Sequence, residues 1–216
     1  MILSIIVNIA IIASNGGFDN PDTALQIPST KDLWSAGINI HNGDKFLYNL
    51  TIENRNNHFD NYLINILFRD SQNYWNTEFT ISNEGKSVKI LSELSKSNLI
   101  NKEKQLKNEQ YLDIIESSIL QIKDITREPK YLVIGAKWDS IDTGITNVPI
   151  KITAKEYLFS KLGELETFVL SYTIKDYNNK IWITKNLPLP VKAEIFNVDG
   201  ILKYKYDLIS TNIKIN

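Results

Sequence analysis

The chain has 216 residues, 24 Lys and Arg against 25 Asp and Glu, a formal net charge of -1 and no cysteine. This length can bury one sizeable core without staples, and near-neutrality removes any overall electrostatic drive toward nucleic acid. Without cysteine there is no disulfide, thiolate nucleophile or zinc-thiolate cluster, and thiols carry no information about the redox compartment.

Met1 to Ala13, MILSIIVNIAIIA, is apolar apart from Ser4 and Asn8. It is too short for a bilayer span, which takes about 20 apolar residues. Its length fits the apolar region of a secretory signal, with Ala13, Ser14 and Gly16 as small residues at which cleavage could occur. A positively charged start is missing, and the alternative is a buried strand of the mature fold. The expected organisation is a signal or anchor segment over 1–16, a linker over 17–40 and a single domain over 41–212. The product is expected to be exported, with no transmembrane span in the mature chain.

Lys45 to Asn54, KFLYNLTIEN, puts Phe46, Tyr48, Leu50 and Ile52 on one face by the strand period of two. Asn49 then points outward within Asn49-Leu50-Thr51, a candidate glycosylation sequon. The polar cluster Glu53 to Asn61 separates this strand from Tyr62 to Phe68. Tyr74 to Ser82 and Lys86 to Leu91 continue an antiparallel meander through the turn Asn83-Glu84-Gly85. In the next polar stretch Tyr111, Ile115, Ile119 and Ile122 recur at spacings of four, four and three. This predicts one long amphipathic helix over residues 104–125, with Lys123 on its solvated side.

The second half returns to strands at Tyr131 to Ile141, Val148 to Ser160, Glu166 to Asp176 and Lys180 to Lys185, the last two joined by Tyr177-Asn178-Asn179. Leu187-Pro188-Leu189-Pro190 interrupts the ladder, because proline has no N–H to donate. Val191 to Phe196 and Ile201 to Ser210 follow. The expected fold class is α+β, a curved antiparallel sheet of eight to ten strands, half-barrel-like, with the long helix packed on it.

His41 and His58 lie in polar turns without metal-ligand spacing, and Asp139 to Gly144 lacks the alternate acids of a calcium loop. Glu164 and Glu166 stand at a strand start where solvent keeps both ionised. No nucleophile elbow, phosphate loop or dinucleotide fingerprint is present. No catalytic residue, metal or cofactor is therefore expected. The aromatic residues remain: Trp138 and Trp182, with Ile134 and Tyr172, are the candidate lining of an apolar pocket, and the same residues could equally fill the core.

Gly43 to Leu50, GDKFLYNL, resembles the GDYFxY opening of a group of exported proteins from ammonia-oxidising archaea. Leu162 to Glu194, LGELETFVLSYTIKDYNNKIWITKNLPLPVKAE, resembles their closing segment, VPAGTFETVxISW followed by SKIWVVxxFPFPVKA. The closing hairpins are also similar to the half-barrels of lipoprotein carriers, in which a curved sheet clasps a helix around an apolar cavity. The resemblance implies the archaeal pseudo-periplasm or cell surface and brings no activity with it. The expected function is a non-catalytic exported domain that binds a lipophilic molecule or an envelope protein. The alternative is a structural or assembly component of the envelope without a pocket.

Overall fold

The structure, a computed structural model, describes residue 29 and residues 32–53, 58–102, 109–142 and 146–215. Its elements run β1 (Leu33–Trp34), β2 (Lys45–Glu53), β3 (Phe59–Asp70), β4 (Tyr74–Asn83), β5 (Lys86–Ser95), α1 (Glu109–Glu116) and α2 (Ile122–Ile125). They continue with β6 (Lys130–Tyr131), β7 (Lys137–Asp142), β8 (Asn147–Ser160), β9 (Gly163–Ile174), β10 (Tyr177–Ile183), β11 (Lys192–Phe196) and β12 (Leu202–Thr211). Ten strands form one antiparallel sheet in the order β5-β4-β3-β2-β12-β11-β10-β9-β8-β7, and β1 pairs separately with β6. The sheet is two meanders joined where β12 meets β2, and it stays open, with β5 and β7 at its edges.

Register turns the period-two pattern into one dry face. Leu50 lies opposite Tyr206, Tyr206 opposite Ala193 and Ala193 opposite Ile181; Tyr48 lies opposite Ile64, and Ile66 opposite Phe79. All of these are buried, and each large side chain so buried contributes about 1.5–3 kcal/mol. Over this face lie α1, α2, the β1–β6 pair and the connection from Thr184 to Val191. Three hydrogen bonds tie this cover down. Tyr48 Oη donates to the Pro190 carbonyl at 2.8 Å, Tyr204 Oη to Gln121 Oε1 at 2.6 Å, and Trp34 Nε1 to the Leu187 carbonyl at 2.9 Å. Leu33 to Ile40, read from the sequence as linker, belongs to this cover, with Trp34, Ala36 and Ile40 buried.

The expected long helix does not form, and the α+β reading gives way to a mostly β protein with two short helices among the described residues. Residues 104–108 of that helix lie outside the described residues. Within 109–125 the break falls at Ser117 and Ser118. Their hydroxyls both donate to the Ile114 carbonyl, and Leu120 N reaches back five residues to Ile115 O at 3.0 Å. Serine hydroxyls compete with the backbone for helix carbonyls, and here the chain turns. The turn buries Ser118, Ile119 and Leu120 consecutively, where a continuous helix would bury only a stripe. It also overturns the expected exposure of Lys123, which is buried and ion-paired to Glu116. The β9–β10 turn likewise moves, from Tyr177–Asn179 to Lys175–Asp176, with Lys175 at φ 52°. Asn179 is needed inside the ladder: it is fully buried, and its Oδ1 accepts the Phe196 N–H at 2.6 Å.

Ile115→Asp, which buries an unpartnered carboxylate, is expected to cost at least about 2 kcal/mol of unfolding free energy. Lys123→Ala is expected to cost about 1–2 kcal/mol, because Glu116 loses its partner in a half-buried setting. Chemical denaturation of the two variants checks both. A wild-type midpoint for Ile115→Asp would take the stripe out of the core.

Candidate functional site

The lengths of the strands, more than any single residue, create the site. β7 pairs with β8 only over residues 147–151, and β10 pairs with β9 only from Phe168 onward. Beyond these limits β8 and β9 pair with each other as far as Ser160 and Gly163. The result is a two-stranded arm that outruns the strand on either side. A register shift between Ile152 and Ala154 marks its root, and such a bulge bends a strand and increases its twist. One face of the arm presents Lys155, Tyr157 and Phe159. Lys155 pairs with Glu166 at 2.9 Å and lies 5.4 Å from the Phe168 ring centroid, whereas Tyr157 is 64 % and Phe159 79 % exposed.

The opposite face of the arm turns Leu158 toward the open side of the sheet. There a groove of about 340 Å³ is lined by Leu158, Phe159 and Lys161 from the arm and by Lys192, Asp207 and Asn49 from β11, β12 and β2. The sequon residue Asn49 is thus exposed on the open face, at the floor of this groove. On the other flank, a groove of about 200 Å³ is lined by Leu162, Leu165, Thr184, Lys185 and Ile215. Lys185 donates to Asp32 at 2.9 Å, and this bond, followed by those from Ser29, holds the Asp32 carboxyl below its usual range. A larger depression of about 530 Å³ lies beside β5; its two carboxylates are already engaged, Glu78 by Lys89 at 2.8 Å and Glu93 by Lys102 at 3.4 Å, and Arg69 also lines it. The free edge of β5 is also partly closed, because Ser95 N donates to Ile100 O and Lys102 N to Glu93 O. Unpaired strand edges recruit other chains, and among the described residues the edge of the arm is left unguarded and is flanked by exposed aromatics.

The four residues expected to line one pocket are placed apart. Trp138 is 3 % exposed and stacks on Trp34 at 5.8 Å on the covered side, its Nε1 donating to the Tyr131 carbonyl at 2.9 Å. Trp182 alternates with Ile181 and Ile183 and so points to the open side. It is 6 % exposed, its Nε1 donates to Glu156 Oε1 at 2.6 Å, and the ammonium groups of Lys192 and Lys180 lie over its ring. Ile134 is 60 % exposed on the loop before β7, and Tyr172 is half-buried on the covered face near Tyr204. The sheet itself therefore separates the two indoles. Sequence reasoning missed Tyr157 and Phe159. The signal available was the strand period of two, which puts Tyr157 and Phe159 on the same face as the charged Lys155, alternating with Glu156, Leu158 and Ser160. His41 Nδ1 lies 3.7 Å from Asp44, and no three His, Asp or Glu side chains among the described residues converge to hold a metal ion.

No family model and no curated protein matches this chain. Solved structures do resemble it. One, from Bacteroides fragilis and described as having a YmcC-like fold, is 9 % identical, with a TM-score of 0.42 over 84 % of this chain and 99 % of the other. Another is MucB crystallised in complex with MucA, 12 % identical, with a TM-score of 0.41 over 80 % of this chain and 50 % of MucB. The Pseudomonas aeruginosa MucA/MucB complex matches at 14 % identity and a TM-score of 0.42, over 80 % of this chain and 52 % of that one. This chain spans about half the length of the MucB chains it matches. No helix among the described residues is long and apolar enough to cross a membrane.

Burial on the covered face sets a titration signature. It raises the phenols of Tyr48, Tyr204 and Tyr206 well above their usual value and pushes Tyr172 up to about 12. In the unfolded chain these phenols release their protons near pH 10, while the folded chain keeps them. Above about pH 10 the folded state therefore binds more protons than the unfolded state, and stability falls as pH rises. Absorbance titration is expected to show a late group of tyrosines that ionises together with loss of the fold. Ten tyrosines ionising at ordinary pH in a still-folded chain would contradict the packing.

Proposed function

We propose that the protein is a non-catalytic binding domain whose partner is an extended protein segment that adds a strand to the arm. The observation that carries this reading is the free edge of β8 beyond Thr153, flanked by the exposed rings of Tyr157 and Phe159. Main-chain hydrogen bonds along that edge would supply affinity. Apolar residues at alternate positions of the partner, set against the two rings, would supply selectivity. Trp138, one of the residues expected to line a lipophilic pocket, supports a core role instead, because it packs on Trp34 on the side where the buried tyrosines donate into the cover. The apolar run at residues 2–13 and the resemblance to exported archaeal proteins support an extracytoplasmic, envelope-space setting for this binding. That run lies outside the described residues.

The test is selection of random peptides on the folded protein, with binding mapped by amide chemical shifts. Selected peptides are expected to perturb the amides of residues 153–160. They should lose about tenfold or more in affinity in Tyr157→Asp/Phe159→Asp, a change of about 1.4 kcal/mol or more. Because both rings are exposed, the double variant should unfold within about 0.5 kcal/mol of wild type. Peptides that bind both proteins equally, or that shift only amides away from the arm, would refute the reading.

A further inference from the structure

The pairing register brings four dispersed lysines into one line on the open face. Lys137 on β7 lies opposite Lys151 on β8, Lys151 opposite Ser171 on β9, and Ser171 opposite Lys180 on β10. Lys180 then lies opposite Glu194 on β11, and Glu194 opposite Lys205 on β12. Among the described residues Lys137, Lys151, Lys180 and Lys205 make no ion pair, and the one acid in the line, Glu194, is already engaged by Lys192 at 2.9 Å. Like charges directly opposed across an antiparallel pair, as Lys137 and Lys151 are, repel each other. In a chain whose formal net charge is -1, this row is a local excess of positive charge held against that repulsion.

We infer that the row docks an acidic segment of a partner protein laid across the strands, a second contact that goes beyond the arm. Adjacent strands lie about 4.8 Å apart, so β7 to β12 spans about 24 Å, or roughly seven extended residues. Glu194 within the row and Asp207 opposite Lys192 select the class of partner. A uniform polyanion, whether a phosphate backbone or an anionic bilayer, meets these carboxylates with repulsion. A polypeptide places acids opposite the lysines and a neutral or basic residue opposite Glu194. Trp182 lies beneath Lys180 of the row at 5.9 Å and beneath its neighbour Lys192 at 4.9 Å, which steadies both ammonium groups over a buried ring.

The experiment uses a fluorescein-labelled eight-residue peptide with four glutamates and one lysine, and compares three proteins at low salt. These are the wild type, a row variant (Lys137→Gln, Lys151→Gln, Lys180→Gln and Lys205→Gln), and a control with the same charge change elsewhere (Lys45→Gln, Lys86→Gln, Lys130→Gln and Lys214→Gln). All eight lysines lie on strand surfaces or near the terminus, and circular dichroism melting confirms that each variant folds. Loss of about tenfold or more in affinity in the row variant, with the control within about twofold of wild type, is the expected result. Equal losses in both variants, or none in the row variant, would overturn the proposal. So would tighter binding to a single-stranded DNA octamer, or to vesicles of equimolar phosphatidylcholine and phosphatidylglycerol, than to the peptide. Because the arm is untouched in all three proteins, peptides selected on its edge bind them alike, and failure of the row leaves the arm reading to its own test.

Discussion

The structure depends on keeping water from one face of a ten-stranded sheet with very little material to cover it. Two helices of eight and four residues, a two-stranded ribbon and a proline-bearing connection must shield aromatic residues drawn from both meanders. Three of the large buried side chains with a polar atom also hold the cover. Tyr48, Tyr204 and Trp34 each place a polar atom where it donates to a covering segment, so their burial leaves no unmet donor. Edge-to-face contact of Tyr48 with Tyr206 at 5.6 Å, and stacking of Tyr206 on Tyr204 at 6.1 Å, join the two tyrosine pins into one aromatic block across β2 and β12. The seam between the two meanders lies at the same place, so packing of the cover and joining of the halves reinforce each other.

With the covered face spent on stability, recognition falls to what the sheet leaves outside. The mismatch of strand lengths around β8 and β9 produces an arm without lateral partners, and a small apolar contact beneath it, through Leu158, gives it a resting place near β11 and β12. The open face is polar, yet Trp182 is sheltered there by Lys180, Lys192 and Glu156 in place of a second layer. Aliphatic stems of lysine can cover apolar surface while their heads stay in water, which lets an open sheet face carry an indole and a charged surface together.

Gly200 shows how closely the periphery is specified. It has φ +79°, and a Cβ there would run into the Tyr177 ring, so the turn before β12 favours glycine. This contact fixes the turn between β11 and β12 against the start of β10.

Much of the fold was legible in local pattern. Alternation in KFLYNLTIEN and in the strand carrying Tyr204 and Tyr206 identified the buried face, because a strand with one wet side must alternate. The helix was over-read, since the spacing of Tyr111, Ile115, Ile119 and Ile122 is helical, whereas Ser117 and Ser118 divert the backbone through hydrogen bonds that periodicity does not register. The candidate site was barely legible. Trp182 sits in a strand apolar on two faces and Trp138 between charged neighbours in β7, and only the pairing shows that the sheet lies between them. Tyr157 and Phe159 are exposed because β7 and β10 stop short, a property of neighbouring strands and not of their own segment. By itself the sequence determined that the chain is a run of antiparallel strands, which face is dry in those that alternate, and that the prolines of 187–190 interrupt the ladder, because these depend on side-chain alternation and local backbone chemistry. Exact strand ends and the β9–β10 turn did not follow from it. Tertiary structure alone decided the register that aligns Lys137, Lys151, Lys180 and Lys205, since residues so far apart in the chain become neighbours only through strand pairing.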